Sequence, residues 1–569
     1  MIHVTPGASM CPLATDWWHL IPLLVRQSAH SVKAVMDLMT LIRRGAERFP
    51  DNPLLICDEQ VHTYAECYER ACRLAQALAG LGLEPGDRVA TLADNSPEAL
   101  ELIFGIALGG FVRASLYTHN TPATNVELLA AIGASALIVQ QQHYAGIAPH
   151  LDRAPGLSQV LVCDSVAGNR SGGTALAYDD VLGDAPAKDP SLEIPSDRPQ
   201  TIRFSAGTTG RPKAIFHDVA GWTAVGTETA RILPTFGPED RYLAAGPLSH
   251  ASLMPMPAVV GTGGSIALMR SFDAGRFLAH IAELRCSFSF GVPTMIHAAA
   301  THPAAPTTDL STLRCVAYGG SPITAETMRL ARNAFGDVLL QIYGQSEGAP
   351  LTFLSAADHI AEGGRWLGSA GKPVPGTTLL IVDADGRELP RGEIGEIASR
   401  TPTAFAGVWG DAEATKSRFL PDGAVLTRDM GYLDDAGYLF LTGRKEDLII
   451  SGGFNIWPTE LELVLAAHPA VAEAAVVGIP HDRWGETPLA LIVPVAGGAV
   501  VTEPQLVEWT REKLGPVKKL GAVRFGAQLP RSPMGKVLRN EIRDQHIEDP
   551  GGTWLSEFTN STRTGTVTR

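Results

Sequence analysis

The sequence predicts an α/β protein. It has a large N-terminal domain of layered α/β subdomains with a small β-barrel-like subdomain, then a small α+β C-terminal domain. Three observations carry this. Apolar runs of strand length alternate with helix-period segments to about residue 340, the pattern of mainly parallel sheets covered by helices. Between 365 and 443 short strands alternate instead with turns such as Asp385-Gly386 and Asp435-Ala436-Gly437. Past Gly443, helix and strand patterns return over about one small domain's length.

Taken in order, 37–48 shows helical apolar spacing, and 64–81 repeats it with Gly80 and Gly82 closing the helix. Residues 88–92 (RVATL) read as a strand, 96–106 as a helix, and 112–116, 136–139, 201–204 and 338–342 as strands. In the middle section 378–382, 396–399 and 438–441 read as strands of a small antiparallel sheet or barrel. Beyond a boundary near 442–447, strands are expected at 448–451, 473–478 and 489–494, and helices at 458–467 and 503–514. The expected organisation is an extension at 1–35, a large domain at 36–443, a small domain at 444–545 and a polar tail at 546–569.

Composition excludes several classes. The 569 residues carry 46 Lys and Arg against 60 Asp and Glu, a formal charge of −14. That balance argues against a nucleic-acid binder, which needs a basic surface, but leaves room for a local basic pocket. Seven cysteines without a CxxC or Cys/His cluster argue against a disulfide framework or zinc site and fit a reducing cytoplasm. No transmembrane segment is expected. The most apolar stretch, 254–269, is short and broken by Pro255, Pro257, Gly261, Gly263 and Gly264. The apolar run 20–25 lacks the basic leader of a secretory signal. A homo-oligomer is compatible with all of this.

Four runs carry candidate chemistry. Residues 205–213, SAGTTGRPK, follow a probable strand. Glycines there turn backbone N–H groups toward an anion, Thr208 and Thr209 add hydroxyls, and Arg211 and Lys213 add charge, so the run suits a polyphosphate. It is not a Walker A loop, because GxxxxGK[ST] is absent. The bland alternative is a surface loop. Residues 343–348, YGQSEG, contain a formal GxSxG, the nucleophile elbow of serine hydrolases; Pro350 argues against the helix such an elbow requires. The other reading makes Tyr343 an aromatic platform and Glu347 a hard oxygen ligand for Mg²⁺. Residues 441–456 place the charged cluster Arg444-Lys445-Glu446-Asp447 before Gly452-Gly453, at the proposed boundary where hinges lie. Residues 530–536, PRSPMGK, end in Lys536 after a Pro/Gly turn.

In their order and spacing these runs resemble the ATP-dependent acyl-adenylating superfamily, which includes acyl-CoA synthetases, firefly luciferase and the adenylation domains of peptide synthetases. The resemblance covers about 36–543. It rests on SAGTTGRPK, YGQSEG, Thr427-Arg428-Asp429, GRKEDLIISGGFNI and PRSPMGK together. It implies an AMP-forming ligase with a mobile C-terminal domain: a carboxylate and ATP give an acyl-adenylate and pyrophosphate, then a thiol takes the acyl group. By this resemblance Ser205, Gly207, Thr208, Thr209, Gly210 and Lys213 hold the phosphates. Gly319, Gly320, Ser321, Gln341, Tyr343, Gly344 and Ser346 line the nucleotide. Glu347 binds Mg²⁺, Asp429 and Arg444 hold the ribose, and Lys536 bridges the carboxylate and the α-phosphate. Lys536, Glu347, Lys213 and Thr208 form the catalytic set. Glu446 matches the hinge, and Gly452, Gly453 and Trp484 the thiol tunnel. The chemistry is coherent, since an ionised carboxylate needs positioning and charge neutralisation rather than a general base.

Two positions depart from the family pattern: Ala214 stands for the glycine after the loop lysine, and Arg428 for the glycine before Asp429. His250 and Met254 fall where the family builds its acyl pocket, beside the segment 288–294 and the edge 317–321. These segments offer no cation for a second carboxylate and no acid for an amino group, which favours a fatty, alicyclic or aromatic acid over an amino acid. Coenzyme A is the expected acceptor, with Lys518, Lys519, Arg524 and Arg531 near the last run. A separate carrier protein is the alternative acceptor, and a serine hydrolase using Ser346 the remote one.

Overall fold

The computed structural model describes residues 37–163, 175–205, 212–361, 368–495, 497–531 and 537–548. A nine-stranded sheet runs in the order Lys372–Pro373, Gly348–Leu354, Leu339–Gln345, Cys315–Gly319, Phe288–Gly291, Arg241–Ala244, Ser265–Leu268, Pro53–Cys57 and Gln60–Thr63. Its centre is parallel and an antiparallel strand pair closes each edge. An eight-stranded sheet orders Gly407–Val408, Lys213–Asp218, Pro199–Ser205, Val112–Ser115, Arg88–Leu92, Ala136–Gln140, Gln159–Cys163 and Leu176–Ala177. Parallel strands covered on both faces need apolar side chains in both directions, which is why they read as continuous apolar runs.

Helices between the strands follow local signals. Thr63 caps the helix Tyr64–Gly80, with Glu66 returning the bond to the Thr63 N–H at 2.8 Å. That helix packs on Ala99–Leu108 through Gly105, where a Cβ would lie 2.9 Å from Leu74. The second helix starts at Ala99 rather than at the expected 96, because Pro97 disfavours helical geometry at Ser96. The largest apolar cluster joins these helices to the nine-stranded sheet through Leu55, Tyr64, Phe104, Tyr242 and Phe288.

The middle section forms a four-stranded antiparallel sheet, Thr378–Val382, Gly395–Arg400, Val425–Leu433 and Leu439–Arg444, an open sheet whose edge strands bridge to Glu388 and Gly371. A last sheet pairs Phe454–Ile456, Ile449–Ser451, Gly485–Pro494 and Val471–His481, with Ala522–Phe525 parallel to Gly485–Pro494. Its long hairpin extends further than the expected 473–478 and 489–494, because polar residues such as His481 and Glu486 continue the ladder to the tip. Helices Pro458–Ala466 and Glu503–Leu514 stand where their patterns place them.

Candidate active site

The ends of several strands converge on Asp429. In the antiparallel pair, Asp429 lies directly opposite Arg444, and their side chains form an ion pair of 2.6 Å. The Tyr343 hydroxyl donates to the other carboxylate oxygen at 2.7 Å, and Gln345 Nε2 donates to that oxygen too. Gln345 also reaches the Thr427 carbonyl at 2.7 Å. Burial, then the Asp429 charge, pushes the Tyr343 hydroxyl far above its ordinary range, so it stays a donor. Burial works against the Arg444 charge, but Asp429 and its other anionic neighbours outweigh it and hold the guanidinium above its ordinary value. Gln345 was not singled out from the sequence; its position within YGQSEG was the available signal.

Glu347 is buried and its Oε1 accepts from Arg418 Nη1 at 2.7 Å. Arg418 is itself buried and donates to the Leu426 carbonyl. Glu347 Oε2 has no hydrogen bond among the described residues, so the carboxylate is fixed by one oxygen and open at the other. No group of three or more His, Cys, Asp or Glu able to hold a metal occurs among the described residues. A cation here therefore needs Glu347 plus ligand oxygens and water, the usual habit of Mg²⁺ with a phosphate. The donor set fits that ion.

The sheet edge above Tyr343 is built for close approach. A Cβ on Gly319 would sit 2.3 Å from the Ile342 carbonyl oxygen, and one on Gly344 would sit 2.7 Å from the Ala349 Cβ. Gly320 has φ +84°, and it and Ser321 are exposed at the end of their strand. Gln341 lies opposite Tyr318 in the parallel pair and accepts from its hydroxyl at 3.2 Å. Ser205 and Lys213 face each other across an antiparallel pair and so close the base of the loop between them. Gly207, Thr208, Thr209, Gly210 and Lys536 lie outside the described residues.

Ser346 does not sit on a nucleophile elbow. The strand Leu339–Gln345 turns directly into the antiparallel strand Gly348–Leu354, whereas an elbow passes from strand to helix. The serine hydrolase alternative falls with that geometry.

His250 stacks on Tyr117 with ring centroids 4.2 Å apart, and its Nδ1 lies 2.6 Å from Ser249 Oγ. Burial, with Arg203 and Arg113 nearby, pulls its pKa down to about 3, so the ring is neutral at physiological pH. Met254 is buried and, with Trp222, Leu253 and Met256, lines an apolar void. The two arginines were missed from the sequence. Their signal is a cation inside a short buried strand, VRAS and TIRFS.

In the last sheet Trp484 lies on Gly452: a Cβ there would meet the indole at 2.9 Å, and the Gly452 N–H donates to the Trp484 carbonyl at 2.8 Å. Gly453 has φ +84° and open space around it. Glu446 pairs with Arg428 at 3.3 Å, which carries the Arg428 side chain toward the segment Lys445–Asp447. Arg428 adopts φ +61°, which explains why glycine suits that position in the family pattern. Lys518 and Arg531 are engaged by Glu460 and Glu473, each at 2.7 Å.

Comparison with known proteins agrees with this geometry. Residues 42–409 match the AMP-binding enzyme family, and 460–536 match the AMP-binding enzyme C-terminal domain. A feruloyl-CoA synthase from Amycolatopsis sp is 34% identical, over 84% of this chain and 93% of its own length. The fatty acid–[acyl-carrier-protein] ligase ScoC of Streptomyces coeruleorubidus is 31% identical, over 90% of this chain and 98% of its own. Among solved structures, ATP-bound MatB from Rhodopseudomonas palustris superposes with a TM-score of 0.80 at 29% identity, covering 90% of this chain and 99% of MatB. No helix among the described residues is long and apolar enough to cross a membrane. With both family domains matched in order, this chain belongs to the AMP-binding enzyme family of adenylate-forming acid–thiol ligases.

Proposed function

We propose that this protein is an AMP-forming carboxylate–CoA ligase. A carboxylic acid attacks the α-phosphate of ATP to give an acyl-adenylate and pyrophosphate; the thiol of coenzyme A then displaces AMP and leaves as the acyl thioester. The observation that carries this reading is the Asp429 cluster. Tyr343, Gln345 and Arg444 hold the Asp429 carboxylate in one orientation, which places it to accept from the vicinal ribose hydroxyls. Near it, Glu347 has an Oε2 without a hydrogen bond among the described residues, which would hold a Mg²⁺ carried in on ATP; that ion neutralises phosphate charge when bound.

In this reading Lys213 and the loop from Ser205 hold the β- and γ-phosphates. Gly319, Gly320 and Gln341 leave a flat edge for the base. Lys536 supplies the point charge between carboxylate and α-phosphate. The segment around Glu446 is the hinge on which the small domain turns, bringing Gly452, Gly453 and Trp484 to the thiol path. Coenzyme A is favoured over a carrier protein by the CoA-ligase relative, while the ScoC relative keeps the carrier reading alive as the second candidate.

The test is pyrophosphate release with ATP, Mg²⁺ and a panel of carboxylic acids, with and without CoA. The reading expects acid-dependent release, acyl-CoA and AMP only when CoA is present, and loss of both in Lys536→Ala. Release that CoA neither accelerates nor converts to thioester assigns the enzyme to carrier loading. No release with any acid overturns adenylation.

A further inference from the structure

The strand Val112–Ser115 and its parallel neighbour Pro199–Ser205 carry one arginine each. Their register sets Arg113 beside Thr201 and Ser115 beside Arg203, so these four side chains share one face of the sheet. His217 joins that face opposite Thr201. The alternate residues Val112, Ala114, Ile202 and Phe204 enter the apolar core on the other face.

Arg113 is 6% exposed, and among the described residues it makes no hydrogen bond, ion pair or ring contact. Arg203 gives one Nη2 bond to the Ser346 carbonyl at 2.7 Å and packs its guanidinium 5.0 Å from the Trp222 ring centroid, but its Nε is buried without a partner. Ser115 Oγ and Thr201 Oγ1 on the same face are also buried without partners. The carboxylate whose field reaches Arg203 is Glu347, and Arg418 already holds it. Burial lowers both guanidinium groups to about 10, which leaves them charged at neutral pH. Both also act on His250, so the Tyr117–His250 stack, which keeps partial solvent contact, lies near the two guanidinium groups.

Among the described residues, these two buried like charges share no carboxylate beyond the already-held Glu347 and lie beside the unpartnered Ser115 and Thr201 hydroxyls, an arrangement that is strongly unfavourable unless an anion joins it. An anionic ligand would satisfy all of them. The reacting carboxylate is not that anion. Arg113 is level with Thr201, four residues before Ser205 where the phosphate loop begins, or about 13 Å back along the strand. Arg113 is therefore set back from the phosphate loop, while Arg203 reaches toward it through the Ser346 carbonyl.

We propose that Arg113 and Arg203, with Ser115 and Thr201, form a subsite for a second carboxylate of the acid, so that the enzyme activates dicarboxylic acids whose two carboxylates are separated by several carbons or a ring. The inference rests on the adenylating reading and names its substrate class. It also revises the sequence-based preference for an uncharged acyl chain, which considered only segments near 250, 290 and 320; the two cations arrive from strands distant in sequence.

The test compares straight-chain dicarboxylates of four to ten carbons, and terephthalate, with the monocarboxylates of matched skeleton. Pyrophosphate release is measured for wild type, Arg113→Met and Arg113→Lys, and dicarboxylate binding is measured by calorimetry without ATP. Wild type is expected to prefer a dicarboxylate. Arg113→Met is expected to lower kcat/KM for it about ten- to hundredfold, the loss of a charged hydrogen-bonded contact, with the KM for ATP unchanged and the monocarboxylate rate kept or raised. Arg113→Lys should retain part of the preference. If Arg113→Met does not fold, the wild-type preference and the lysine variant decide. A wild-type preference for monocarboxylates, or a ratio unmoved in a folded Arg113→Met, overturns the subsite. If no acid releases pyrophosphate, adenylation itself fails. Calorimetry then judges the arginines separately: dicarboxylate binding weakened in Arg113→Met supports the subsite, and absent binding overturns it.

Discussion

Among the described residues, Asp429 takes bonds from Tyr343, Gln345 and Arg444, and Glu347 takes one from the buried Arg418, and the difference sets what each carboxylate can do. Asp429 is fixed in orientation by Tyr343, Gln345 and Arg444. Removing the Tyr343 hydroxyl deletes one hydrogen bond to a charged group, a loss of about 1.5 kcal/mol. Tyr343→Phe should therefore raise the KM for ATP about tenfold, read from pyrophosphate-release kinetics, while leaving the fold intact. Glu347 and Arg418 are a buried pair, so truncating one partner strands the other. Arg418→Met should destabilise the protein by about 3–5 kcal/mol in urea unfolding, and adding Glu347→Gln should restore most of that. The pairing of Glu347 with Arg418 was not legible in the sequence, because 71 residues separate them and Arg418 stands in no motif.

At the scale of elements, glycine positions and the boundary segment make the sharpest claims. Gly452 has φ +57° and no room for a Cβ beneath Trp484. Gly452→Ala should strain the loop and narrow the thiol path. Acyl-CoA formation is then expected to fall at least tenfold while acid-dependent pyrophosphate release in the first turnover is kept; equal losses in both would place Gly452 outside the thiol step. Glu446 sits between the antiparallel sheet ending at Arg444 and the strand beginning at Ile449. Proline there fixes φ and blocks the rotation a hinge needs. Glu446→Pro should likewise keep a burst of pyrophosphate and lose thioester, measured by quenched-flow. Helices with caps and strongly apolar parallel strands were legible because their signals are local. The long hairpin Val471–Pro494 was under-read because cross-strand pairing, not local propensity, extends its polar tip.

For the molecule as a whole, buried cations couple stability to pH. His217 is fully buried, near the Trp222 ring and facing the Thr403 backbone without a well-formed hydrogen bond; burial first, then Arg203, holds it well below its ordinary value. His250 is drawn down to about 3. Both stay neutral when folded, whereas the unfolded chain protonates them below about 6.5. Their contribution is whole above that pH and declines as pH falls toward about 3, with a slope reaching about 2.7 kcal/mol per pH unit for the two together. Urea midpoints should accordingly drop between pH 7.5 and 5.5, and His217→Leu should flatten the drop. The family was legible from five motifs in sequence order, and the layered α/β fold from the periodicity of strand and helix runs. The buried arginine pair was not, because Arg113, Arg203 and His250 come near one another only through sheet register and packing.

The central claim is that the Asp429–Glu347 site makes an acyl-adenylate. Mass spectrometry of the protein after incubation with ATP, Mg²⁺ and an accepted acid, with CoA withheld, tests it most directly. The account predicts a tightly held acyl-AMP in wild type, absent in Lys536→Ala and consumed on adding CoA. ATP converted to ADP, or an acylated Ser346 in place of acyl-AMP, would contradict it.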